Sequence, residues 1–213
     1  MSGSGGTTTK SERTKKAILD AAEELFSTLG YEGASLDAIG ERAGVQGTAI
    51  LYHFPSKRVL YAATLERIFS PLLRELSEML RRPQPVAVRL EAAVDAIVLY
   101  AAEHPNAPRL LLREAVSPGG DAREIIEAQA ASNAAGVMAA FASLSGDPGV
   151  DPAMVMNIIV GAICFYFVGP PGFAGQGSYD PQDPRLVSAF RATMRELTRS
   201  LLHLDWQQAG HAS

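Results

Sequence analysis

The sequence predicts an all-α protein of about nine helices. Apolar side chains return every three or four positions in one segment after another, which is the period of a helix with one buried face. Aromatic residues make up only 7% of the 213-residue chain, while alanine and leucine abound. The 19 glycines and 13 prolines gather in a few short stretches instead of recurring roughly every ten residues, as a sandwich or barrel would need. At 47% hydrophobic, a chain of this length can bury a sizeable core, as one large domain or a small one joined to a medium one.

The elements follow in order. Residues 1–10 are mostly Gly, Ser and Thr without an apolar stretch, so they read as a disordered arm and not as a secretory leader. From Ser11 to Leu29 the residues Ile18, Ala22, Leu25, Phe26 and Leu29 share one helical face, and Gly30 is the expected stop. Ser35 is a good N-cap for a second helix, Leu36 to Ala43, in which Leu36, Ile39 and Ala43 face inward and Asp37 favours the first turn. Gly44 ends that helix, because glycine can take the left-handed conformation that reverses the chain, and Val45 can plug the corner.

A short third helix is expected from Gln46 to His53, and Pro55 and Ser56 then break and recap the chain. Lys57 to Leu80 carries Leu60, Thr64, Ile68, Leu72, Leu76 and Leu80 along one side and is long enough to join two domains. Next come Val86 to His104, with the stripe Leu90, Val94, Ile97, Ala101 and His104, and, after Pro105 and Pro108, Arg109 to Val116. A seventh helix uses Ile126, Ala130, Asn133, Val137, Phe141 and Leu144, and Pro152 to Val168 is apolar nearly all round. A Gly/Pro-rich loop, Gly169 to Pro184, leads to the last helix. There Val187, Phe190, Met194, Leu197, Leu201 and Leu204 form a seam, while Arg191, Arg195 and Arg199 line another side. The expected division is 1–10 arm, 11–56 head, 57–205 second domain and 206–213 flexible tail.

Charge and composition exclude several classes. The net charge of −4 is not that of a chain that coats nucleic acid without selectivity. The charge is mildly sorted: seven basic and seven acidic residues balance over positions 1–60, so the deficit falls on the remainder. Cys164 is the one cysteine, which leaves neither a disulfide framework nor a Cys-rich zinc site and suits a reducing cytoplasm. The longest apolar run, Met154 to Val168, is interrupted by Asn157 and falls short of the ~20 residues of a membrane span. Without a metal-spaced histidine pair, a phosphate loop or a nucleophile elbow, the sequence predicts no enzyme and no cofactor.

The segment from Leu36 to His53 has the lengths and chemistry of a helix-turn-helix: about eight residues, a short turn holding glycine, then a helix that opens with small residues. Gly47, Thr48 and Ala49 permit close approach to a groove about 12 Å wide, whereas bulky side chains there would hold the helix out. Over Arg13 to about Ile68 the sequence resembles the TetR family of transcriptional regulators. The resemblance is carried by Leu25-Phe26 with Gly30-Tyr31, by Ser35, Ile39 and Ala43-Gly44-Val45, and by Tyr52-His53-Phe54-Pro55-Ser56-Lys57.

That resemblance implies a DNA-binding head in which Gln46, Gly47, Thr48 and Ala49 open the recognition helix and Tyr52 and His53 close it. Lys57, Ser35 and Thr48 would hold phosphates, Gln46 and Thr48 would reach base edges, and Arg13, Lys15 and Lys16 would approach the backbone or a minor groove. Gln46, Thr48 and Leu51 depart from the family's usual Ser, small residue and Tyr. Leu51 cannot bond a phosphate, so that task would pass to Tyr52 or a neighbour. His53 reads as a packing residue ahead of a contact to DNA, and Tyr31 and Phe54 read as core.

The same resemblance implies an effector pocket in the second domain and dimerisation through the last two helices. Phe69, Tyr100, His104, Gln129, Asn133, Met138, Phe141, Met156, Asn157 and Phe165 are the candidate lining, since apolar walls with a few polar groups suit small molecules. Asn133 and Asn157 stand out as amides on apolar stretches, where core hydrogen bonding is the competing reading. His104 could simply complement a helix dipole. Ile158, Gly161, Phe165, Phe190, Met194, Leu197 and Leu201 are the candidate dimer surface. The expected partners are therefore double-stranded operator DNA, a small effector and a second copy of the chain, without a membrane. Two rival readings remain: a constitutive DNA-binding regulator whose pocket is filled by side chains, and a helical ligand carrier or enzyme.

Overall fold

A computed structural model describes residues 9–116, 124, 152–169 and 180–201, and among these it contains eight α-helices and no strand. The first, α1 (Lys10–Gly33), begins earlier than expected because Thr9 and Glu12 form a capping box. The Glu12 N–H donates to the Thr9 hydroxyl at 3.2 Å, and the Thr9 N–H donates to the Glu12 carboxylate at 2.6 Å. Gly30 does not stop the helix but kinks it, at φ 77° and ψ 176°, a conformation reserved for glycine. The kink swings Tyr31 inward against Phe26 and Tyr61 at ring separations of 6.3 and 5.0 Å.

Next come α2 (Leu36–Ala43), α3 (Gly47–His53) and α4 (Lys57–Leu80), with Ser35 and Ser56 as side-chain N-caps of α2 and α4. Then follow α5 (Val86–Glu103), α6 (Asn106–Ala115), α7 (Pro152–Val168) and α8 (Pro184–Leu201). α6 starts before Arg109 because Pro108 falls within its first turn, where a missing N–H costs nothing. α8 starts before Val187 for a similar reason: Pro184 is its first residue, and the Asp183 carboxylate accepts the Arg185 N–H at 2.8 Å. The helix expected over 126–144 and most of the Gly/Pro-rich loop lie outside the described residues.

Two cores divide the molecule. The first gathers Ile18, Phe26, Tyr31, Ile39, Ile50 and Phe54 of the three N-terminal helices with Leu60, Tyr61, Leu65 and Ile68 of α4 and with Ala107 and Leu110 of α6. The second joins Leu76 and Leu80 of α4 to α5, α7 and α8 through Leu90, Val94, Val98, Ile159, Ile163 and Met194. At about 2–3 kcal/mol per fully buried aliphatic side chain, these clusters supply the main drive for folding. The core of the head continues through the first half of α4 and takes in α6.

Pro71 stands in α4 between the two cores. Lacking an N–H, it cannot serve the carbonyl one turn before it. At the same level the Tyr100 hydroxyl of α5 donates to the Ile68 carbonyl. Farther along, α5 and α8 are tied by charge. Arg191 and Arg195 both donate to Asp95, and Arg199 donates to Glu91 at 2.8 Å. Burial raises the Asp95 carboxyl, but hydrogen bonds from Arg191 and Arg195 and their charge outweigh it and leave the group below its ordinary value. Among the described residues, no helix is long and apolar enough to cross a membrane.

Candidate nucleic-acid interface

The corner between α2 and α3 is built from backbone. Gly44 takes the left-handed conformation at φ 68° and ψ 32°, its N–H returns to the Glu41 carbonyl at 3.2 Å, and the Val45 N–H reaches the Gly40 carbonyl at 2.9 Å. A Cβ on Gly40 would stand 2.9 Å from the Val45 carbonyl oxygen, so the two helices approach this closely only because that side chain is a hydrogen. Arg42 of α2 grips Glu24 of α1 with two hydrogen bonds of 2.9 and 3.0 Å, which fixes the second helix against the first.

The corner sets the orientation of α3. Ile50 is fully buried beneath it and Phe54 closes its end at 3% exposure, so the opposite side of the helix must face out. That side carries Thr48, Leu51 and Tyr52, all exposed, with Gln46 exposed at the N-cap and its side chain making no cap bond. Tyr52 is 83% exposed, an unusual place for a large aromatic ring unless something covers it. Gly47 and Ala49 are half-buried and leave the start of the helix low and smooth. Leu51 stands three residues after Thr48, on the same side of α3.

The other predicted contacts lie on α1 and at the starts of α2 and α4. Arg13 and Lys15 are exposed on α1, with the Lys15 ammonium 5.7 Å from the centre of the Phe54 ring. Lys16 is paired with Asp20 at 2.8 Å. Ser35 is exposed at the start of α2, where its hydroxyl accepts the Ala38 N–H at 3.1 Å. The Lys57 ammonium bonds the Glu32 carbonyl at 3.3 Å and lies 4.6 Å from the centre of the Tyr31 ring. It thereby pins the start of α4 to the end of α1. His53 is half-buried between Tyr52 and Phe54, in keeping with a packing role.

Among the described residues, those expected to line a pocket lie apart. Phe69 is packed against the first core, and the Tyr100 ring rests on His104 at 4.1 Å with its hydroxyl committed to Ile68. His104 itself is exposed just past the end of α5. Met156 packs into the second core, whereas Asn157 and Phe165 are exposed on the outer side of α7. The apolar character of α7 concealed which of its faces turns inward. Gln129, Asn133, Met138 and Phe141 lie outside the described residues.

The outer side of α7 is a continuous apolar stripe of Met154, Ile158, Gly161, Phe165 and Val168, all exposed, with nothing within 4 Å of a Cβ built on Gly161. On α8, Leu186, Thr193 and Leu197 share an exposed side, and Leu201 ends the helix. Met194, expected at a dimer surface, is instead 2% exposed within its own protomer, and Phe190 stacks on Tyr166 at 3.8 Å. The reason is Asp95 and Glu91. Binding the arginines of α8 rotates the Met194 side of the helix toward α5.

Residues 18–64, which span α1 to the middle of α4, match the family model described as bacterial regulatory proteins, tetR family. Over these residues the head carries the tetR-family pattern. A curated relative, the HTH-type transcriptional regulator RutR of Escherichia coli O157:H7, is 34% identical over 125 residues, which cover 55% of this chain and 58% of the relative. The HTH-type transcriptional activator FasR of Mycolicibacterium smegmatis is 30% identical over 148 residues, 68% of this chain and 65% of the relative. The chain thus spans about half to two thirds of the length of these curated relatives. Among solved structures, NalD of Pseudomonas aeruginosa, described as the secondary repressor of a multidrug efflux pump, superposes with a TM-score of 0.68. At 24% identity, over 93% of this chain and 100% of NalD, that match shows a shared fold and nothing finer.

Proposed function

We propose that this chain is a sequence-specific DNA-binding transcriptional regulator. It acts in the cytoplasm as a twofold dimer, and a small, largely apolar effector releases it from a palindromic operator. The observation that carries the reading is the exposed row Gln46, Thr48, Leu51 and Tyr52 on a helix held rigidly by the glycine corner, with Arg13 and Lys15 nearby as cations for the DNA backbone. Chemically, Gln46 suits the paired donor and acceptor of adenine in the major groove. Thr48 suits a thymine methyl or a phosphate, and Tyr52 suits a phosphate.

The apolar stripe of α7 with the exposed side of α8 supports a dimer, since an uncovered run of that length is a liability on a monomer. A twofold axis there would present two α3 helices about 34–36 Å apart or somewhat more, one turn of the duplex. The described relatives carry names of both signs, activator for FasR and repressor for NalD. We take repression as the working sign. A regulator without an effector is the second reading, favoured by the committed hydroxyl of Tyr100.

Selection of bound fragments from random duplex DNA tests the proposal. Recovery of a twofold-symmetric site supports it, and recovery of no shared sequence, or of a single unrepeated half, overturns it. Screening compounds for release from that site then separates the effector-switched reading from the constitutive one.

A further inference from the structure

α6 touches both ends of the proposed apparatus. Its Ala107 and Leu110 are buried in the core of the head, and the helix also packs on α7, whose outer side is the proposed dimer surface. Along α1 it is fastened by two polar contacts. The Asn106 amide donates to Glu23 at 3.3 Å, and the Arg113 guanidinium donates to the Thr28 carbonyl at 2.6 Å and to the Leu29 carbonyl at 2.7 Å. Those two carbonyls are the last before the Gly30 kink, where the first segment of α1 leaves acceptors without intrahelical partners. The fit is close: a Cβ on Gly30 would stand 2.5 Å from the Arg113 Nε.

We infer that Arg113 is a positioning residue, a clamp through which α6 fixes where the head stands relative to the twofold axis and so sets the half-site spacing that the dimer accepts. The inference rests on the dimeric DNA-binding reading above. The path from the proposed dimer surface to the head through α7, α6 and Arg113 is short and bypasses α4. With the clamp closed, the two heads are held at one separation. Releasing it leaves the surface of α3 intact but lets each head settle independently.

The test uses the full chain and the symmetric site recovered by selection, with duplexes in which one or two base pairs are added or removed between the half-sites. Each added pair moves a half-site by about 3.4 Å and turns it by about a tenth of a revolution. The wild type is expected to lose about tenfold or more in affinity per step, of the order a mismatched pair costs. Arg113→Met keeps the apolar stem and removes the donors. It is expected to lose no more than about threefold per step while binding the original site within about threefold of wild type. Arg113→Lys, which retains a cation at the carbonyls, is expected to restore most of the discrimination.

A general loss of stability would lower affinity for every spacing alike and leave the ratios unchanged, and that result overturns the inference. Equal spacing profiles for wild type and Arg113→Met, or a wild type that tolerates every spacing, also overturn it. Failure to recover any symmetric site would sink the dimeric reading itself, which is a separate and recognisable outcome.

Discussion

Gly40 and Gly44 stand four residues apart and are needed for different reasons. A methyl on Gly40 meets the Val45 carbonyl oxygen at 2.9 Å, and that backbone is already fixed by a hydrogen bond to Gly40 itself. Gly40→Ala is therefore expected to cost about 1–3 kcal/mol by overpacking, read as a lowered urea midpoint. At Gly44 nothing lies within 4 Å, so Gly44→Ala suffers only the left-handed backbone, about 1 kcal/mol, and Gly44→Asn should recover part of it. Equal losses for the two alanine variants would show that the close approach at Gly40 is not real. At Cys164, burial pushes the thiol up to about 11. At pH 8 the thiolate is then roughly one part in a thousand, and the native protein should react with a thiol reagent about a hundredfold more slowly than the unfolded chain. Prompt labelling of the native protein would contradict the placement of this side chain.

The ladder between α5 and α8 makes a prediction about pH. Because Asp95 is held below its ordinary value of 3.8, its contribution to stability is complete above that value and is lost as the pH falls through the depressed one. Asp95→Asn should destabilise by about 1–2 kcal/mol at pH 7, a figure reduced for the partial exposure of the arginines, and the gap to wild type should close below about pH 4. A gap that persisted in acid would assign the loss to packing instead. Tyr100→Phe, which removes one donor from the Ile68 carbonyl, should cost about 1 kcal/mol in the same measurement.

Much of this architecture could be read from the sequence. The bounds of α2, α4 and α7 follow directly from Ser35 and Gly44, from Ser56 and Arg81, and from Pro152 and Gly169, because caps and breakers act locally. The exposed row on α3 was legible as well, since Ile50 is its one strongly apolar residue with a neighbouring helix to cover it. What escaped were features that depend on partners distant in the chain. Whether Met194 or Leu197 faces inward depends on Asp95, nearly a hundred residues away. Gly30 read as a stop because the need to bring Tyr31 to Tyr61 leaves no local mark.

In the whole molecule, α4 and α6 join the head to the helices that carry the proposed dimer surface. Binding to DNA should then show two kinds of dependence. Arg13→Ala should weaken binding to all duplexes alike and reduce the salt slope by about one, whereas Gln46→Ala should lose affinity mainly for the selected site.

The central claim is that the segment from Gln46 to Tyr52 lies in the groove, twice per dimer. Directed cleavage tests it most directly: Leu51→Cys carries an exposed thiol while Cys164 is buried, so an iron chelate can be attached at position 51 alone. On the selected site the account predicts two clusters of strand scission, symmetric about the centre and about one helical turn or somewhat more apart. A protein that binds that DNA yet leaves it uncut near both half-sites would contradict the account.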